Sequence, residues 1–241
     1  MSVPAPSPVE APVGTVPEVA SAGERDYIPY IAPMFAYVAL SSLEGSLPNP
    51  GWYPAAYAAK AAIVAALMWY YRATWRDLRP APGPLGIAMA VAAGLLVIVL
   101  WIGLDGHYPA LPFMGGARSA FDPNDLSPAG KWAFITVRFL GLVLLVPVFE
   151  ELFWRSFLMR WLIDQEFWKV PIGKVTPMAA AISAAAFALA HPEWLPALLT
   201  GLIWAGLLWK TRSVSACMIS HFVANLALGV YVVATESWKF W

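Results

Sequence analysis

Glu150, Glu151 and Arg155 lie inside the run VPVFEELFWRSF (146–157), where almost every neighbour is apolar. An ionised group at mid-bilayer costs roughly 2.5–3.5 kcal/mol, so such residues need a task or must lie outside any membrane. On a helix, Glu151 and Arg155 stand at i and i+4, the favourable acid-before-base order. Glu150 is turned about 100° away and has no basic residue three or four positions on. One acid is therefore neutralised while the other is left as a carboxylate. In an apolar cavity a carboxylate holds its proton to higher pH and can act as a base near neutrality. The plain alternative is a solvated rim at the cytoplasmic interface. FALAHPEW (187–194) puts His191 at the end of an apolar run, with Phe187 one turn earlier and Pro192 disfavouring helix at His191. Alone, His191 reads more readily as an interfacial side chain than as a site residue. SHFVANLALG (220–229) places His221 and Asn225 on one helix face. Such a stripe faces protein or a watery cavity; the alternative is interhelical glue at about 0.6 kcal/mol per bond. Lys60 and Arg138 also fall in apolar runs, where snorkelling of their long stems accounts for them. His107 falls in a loop and carries no role.

These segments need elements to carry them, and composition says which. Of 241 residues, 60% are hydrophobic and 12% charged, with 13 tryptophans. Soluble domains carry about 25% charged residues, and the runs near 85–104 and 214–234 approach the roughly 20 apolar residues that span a bilayer. The expectation is an all-α, polytopic transmembrane helix bundle whose polar site residues face a central intramembrane cavity. Spans are expected near 28–43, 52–71, 85–104, 131–162, 177–191, 195–209 and 214–234. An eighth arises if Pro147 breaks the long fourth segment. Residues 1–24 read as a disordered tail and 25–241 as the transmembrane domain. Without a basic start and a long apolar core, the tail is not a signal peptide.

Basic residues set the orientation. Arg72, Arg76 and Arg79 follow span two, Arg160, Lys169 and Lys174 follow span four, and Lys210 and Arg212 follow span six. The opposite side holds only Arg118, Lys131 and Lys239. The positive-inside rule puts the N-terminus in the cytoplasm. Zero net charge argues against a nucleic-acid partner, and the single Cys217 excludes an intramolecular disulfide.

The three motifs, EExxxR (Glu150, Glu151, Arg155), FxxxH (Phe187, His191) and HxxxN (His221, Asn225), occur in order on successive apolar segments. This resembles the CPBP family of intramembrane proteases, also called the CAAX-protease, bacteriocin-processing or Abi family, over roughly 130–235. The N-terminal part, including RDYIPYIAPMFAYVALSSLEG, looks like the bacterial branch associated with exosortase sorting systems. The resemblance implies an intramembrane endopeptidase of a bacterial inner membrane, acting on a membrane-anchored or lipidated protein, with a link to an exosortase system. It implies Glu150 as the base that activates water, His191 holding that water, and His221 and Asn225 as oxyanion donors. Such donors are typically worth about 2.7–4 kcal/mol each. Glu151 and Arg155 become a supporting pair, and Phe187 packs beneath His191. Family members are described both as metal-independent glutamate proteases and as metalloproteases. The preferred expectation is no cofactor; the alternative is a divalent metal such as zinc on Glu150, His191 and His221.

Other protease chemistries fit less well: every aspartate lies outside the expected spans, and neither HExxH nor a serine elbow is present. The rival functions are a transporter or proton relay using the same residues, and a catalytically silent, immunity-type binding protein. One geometric demand follows. Glu150 falls near the cytoplasmic end of its span and His191 near the outer end of its own, so the two meet only if span four starts beyond the bilayer surface or span five begins inside it.

Overall fold

The computed structural model describes residues 26–46, 49–111 and 121–241. The tail expected at 1–24, and Arg118, lie outside the described residues. Among them there is no strand, and seven long helical segments carry the fold: α1 (Ile28–Gly45), α2 (Tyr53–Tyr70), α3 (Pro84–Gly103), α4 (Pro128–Trp161), α5 (Pro177–Leu189), α6 (Trp194–Thr211) and α7 (Val214–Thr235). Of these, α3, α4 and α7 are long and apolar enough to cross a membrane, and α5 is a shorter apolar helix. Helix starts follow local chemistry. A proline sits in the first two positions of each of α1 to α5, where its missing N–H costs nothing. The Ser127 and Thr176 side chains cap α4 and α5 by accepting from Gly130 N and Ala179 N, both at 3.2 Å. Trp52, Tyr70, Trp132 and Trp209 stay exposed at or beside helix ends, as interfacial aromatics do.

Pro147 does not divide the fourth segment. The helix runs unbroken from 128 to 161, because a π-helical turn, Gly141–Leu145, lies just before the proline and a second, Leu152–Leu158, follows. The wider turn absorbs the ring that would otherwise collide one turn back. At 34 residues, α4 is roughly 50 Å long, well beyond an apolar layer of about 30 Å. By contrast α5, with 13 residues, is only about 20 Å. These unequal lengths meet the geometric demand made by Glu150 and His191.

Close packing sets the positions of the last three helices. At Gly94 of α3 a Cβ would sit 2.5 Å from the Ser220 carbonyl of α7, and at Gly201 of α6 it would sit 2.8 Å from the Ala184 backbone of α5. Hydrogen at both positions lets the backbones touch. Lys60 does not snorkel: it is buried, with Nζ 2.5 Å from Glu44 Oε2, 3.0 Å from Ser41 Oγ and 4.7 Å from the Tyr37 and Tyr57 ring centres. A carboxylate one helix away makes burial cheaper than reaching for the surface. Arg138 is half-buried, donating to Tyr53 Oη at 2.7 Å and lying over the rings of Tyr53, Tyr57 and Trp241.

Candidate active site

Glu150 and Glu151 sit on the short α-helical stretch Val146–Glu151, framed by the two π turns of α4. Being successive, they point about 100° apart. Glu151 turns into the protein and is fully buried. Its Oε2 lies 3.2 Å from Arg155 Nε, close enough to pair though not aligned as a hydrogen bond. Its Oε1 lies 2.9 Å from His221 Nδ1 on α7. Arg155 is itself clamped between aromatic faces, its guanidinium 5.0 Å from the Phe187 ring and 4.9 Å from the Trp204 ring. Trp204 stacks near His221 at 4.5 Å between ring centres and donates Nε1–H to Ser220 Oγ at 2.8 Å. The buried charges are thus held from α4, α5, α6 and α7 at once.

Glu150 turns the other way, onto the wall of a cavity of about 160 Å³. The same cavity is lined by His191, His221, Asn225, Thr200 and Trp204. His191 lies in the turn two residues past α5, because Pro192 ends the helix before it. Its Nδ1 is 2.8 Å from the Phe187 carbonyl, an acceptor only, so Nδ1 carries the proton and Nε2 is the basic ring atom. The Phe187 ring lies 4.4 Å from that of His191, and Trp101 meets it edge-on at 5.8 Å. Asn225 donates Nδ2–H to the Leu142 carbonyl at 2.8 Å and lines the cavity.

All seven residues singled out by sequence therefore fall in one neighbourhood: Glu150, His191, His221 and Asn225 on the cavity wall, Glu151 and Arg155 behind it, and Phe187 touching both groups. Sequence reasoning missed Thr200, Trp204, Ser220 and Glu193. Thr200 is fully buried, lines the cavity, and has a hydroxyl without a hydrogen-bond partner among the described residues. The available signal was its spacing, one turn before Trp204 on the same face of α6. Although Glu150, His191 and His221 share a wall, no three His, Cys, Asp or Glu side chains among the described residues gather as metal ligands. The donors present do not fit the zinc arrangement.

The helix bundle thus gathers an acid, two histidines and an asparagine around one cavity. Residues 132–227 match the family model described as type II CAAX prenyl endopeptidase Rce1-like, and all three motifs lie within that segment. That match indicates a protease, and the three long apolar helices indicate a membrane protein. No curated protein and no solved structure matches the chain.

Proposed function

We propose that the protein is a glutamate-dependent intramembrane endopeptidase, multi-pass in a bacterial inner membrane with its N-terminus cytoplasmic. Its substrate is a membrane-anchored or lipidated protein, and an exosortase-type sorting system is the partner that the resemblance of its N-terminal part suggests. The observation that carries this reading is the convergence of Glu150, His191, His221 and Asn225 on one cavity. Glu150 takes a proton from a water whose second hydrogen is accepted by His191 Nε2. The water oxygen attacks the scissile carbonyl carbon, and the carbonyl oxygen becomes the oxyanion. The Asn225 amide and the His221 ring face that oxygen; with Nδ1 on Glu151, His221 donates through Nε2 when the ring carries both protons. The C–N bond then breaks, and the proton held by Glu150 passes to the leaving amine.

The test is proteolysis by purified protein in detergent against fluorogenic peptides that include lipidated CaaX-like members, beside Glu150→Gln and His191→Ala. Cleavage lost in both variants and insensitive to a strong chelator supports the reading. Cleavage restored by zinc after chelation would replace the proposed chemistry while keeping the residues. Persistence in both variants would remove them from the site.

A further inference from the structure

The cavity is lopsided. Trp101, two residues before the end of α3, lines it, as do His191 and Glu193 in the turn after α5, Leu228 in the second half of α7, and Phe240 beyond α7. These all belong to one end of the bundle. The other end is packed shut. There Asp77, in the turn after α2, accepts from Tyr30 Oη at 2.8 Å, Ser156 Oγ at 2.5 Å and Arg160 Nη2 at 2.7 Å. Ser213 donates to the Pro80 carbonyl at 3.0 Å, Ser215 donates to the Leu78 carbonyl, and Phe167 packs edge-on against Tyr30. Exposed Arg72, Arg76, Arg79, Lys169, Lys174 and Lys210 all stand at this closed end, and basic residues mark the cytoplasmic side. The open end has an acidic rim. Glu193 and Asp105 flank Tyr108, whose phenol is pushed up to about 12 by burial first and by those carboxylates second; Asp105 pairs with Lys239.

We propose that the cavity opens on the extracytoplasmic face. The substrate is then a polypeptide segment with uncharged side chains that emerges from the outer leaflet beside its own anchor, rather than a prenylated C-terminus presented by the cytosol. The wall around Glu150 suits such a segment, being largely apolar (Met34, Val97, Ile98, Leu142, Val146). The side of entry stands on geometry and charge alone; cleavage rests on the peptidase reading. Cys217 is the sole cysteine and is fully buried, so single added thiols report cleanly. A membrane-impermeant maleimide should label Glu193→Cys on intact spheroplasts and Lys174→Cys only on inside-out vesicles; Glu236→Cys, exposed at the same end as Glu193, serves if the first variant misfolds. The reverse pattern overturns the proposal. A fluorogenic peptide should be cleaved when added outside spheroplasts, and not by Glu150→Gln. Cleavage confined to inside-out vesicles overturns the entry side and keeps the peptidase. Correct labelling with cleavage from neither side overturns the peptidase reading, and the substrate with it.

A second observation concerns Pro147. In the π turn, Val146 N–H bonds to the Gly141 carbonyl. The next bond in that register would run from residue 147 to the Leu142 carbonyl, and proline has no N–H to give. Asn225 Nδ2 occupies that acceptor instead. We infer that Pro147 is a positioning residue: by withholding a donor it reserves the Leu142 carbonyl for Asn225, and so fixes the amide on the cavity wall. This rests on the peptidase reading for its kinetic effect only. Pro147→Ala should lower kcat about tenfold, leave KM nearly unchanged, and have no further effect in an Asn225→Ala background. A wild-type kcat, or full additivity, overturns it. Should no variant or wild type cleave, non-additive Tm changes of the two substitutions still establish the link, and additive ones remove it.

Discussion

Two adjacent glutamates do different work because a helix turns them apart. Glu150 ends on a cavity wall, and its substitution by Gln keeps shape while removing the proposed base. Such losses are typically 10²–10⁴-fold, so the rate should fall by about that much with Tm nearly unchanged. Glu151 is the opposite case. Glu151→Gln leaves the buried Arg155 without its counter-charge, and breaking a buried pair from one side costs about 3–5 kcal/mol. Thermal unfolding in detergent should therefore separate the two variants. Thr200→Val removes a buried hydroxyl that has no hydrogen-bond partner among the described residues; it should leave Tm unchanged or slightly higher while reducing kcat, if that hydroxyl holds water beside Glu150. Unchanged kcat would make Thr200 mere lining. At this scale the pairs legible in the sequence were those separated by one helical turn. Glu151 with His221, and Trp204 with Ser220, are tertiary contacts, and no periodicity carries them.

Among elements, the helices fall close to the expected apolar runs, and three of them are long and apolar enough to cross a bilayer. The continuity of α4 was not legible in the sequence. A proline signals a break only if the helix keeps its pitch, and the π turn at Gly141–Leu145 changes the pitch. The buried state of Lys60 was hidden for a related reason: its partner Glu44 lies on another helix, and hydropathy treats each span alone. Helix contact also supplies a sharp test. Gly94→Ala places a methyl against the Ser220 carbonyl, one residue from His221. Overpacking typically costs 1–3 kcal/mol, so Tm should drop, and activity should drop further than that loss of folded protein explains. Activity falling only in step with the folded fraction would deny that the α3–α7 contact aims the histidine.

Over the whole molecule, unequal helix lengths predict an activity that depends on bilayer thickness. With α5 only about 20 Å long, the membrane near His191 must thin or the helix must sit deep. Activity in proteoliposomes should therefore be higher in short-chain than in long-chain lipids; equal rates across thickness would disprove this dependence. Charge asymmetry, helical class and the ordered motifs were all readable from the chain. The depth and mouth of the cavity were not, because they depend on how helices of different length are staggered.

One consequence concerns time rather than space. Chain order fixes when each buried charge meets its partner. Glu44 and Lys60 are 16 residues apart and can join as the first hairpin forms. Asp77 precedes Arg160 by 83 residues, and Glu151 waits a further 70 residues beyond its own place for His221. The acid that would cleave a membrane neighbour is thus made long before the histidine and asparagine that complete it. On the proposed chemistry, the nascent chain therefore stays inactive until α7 has been made.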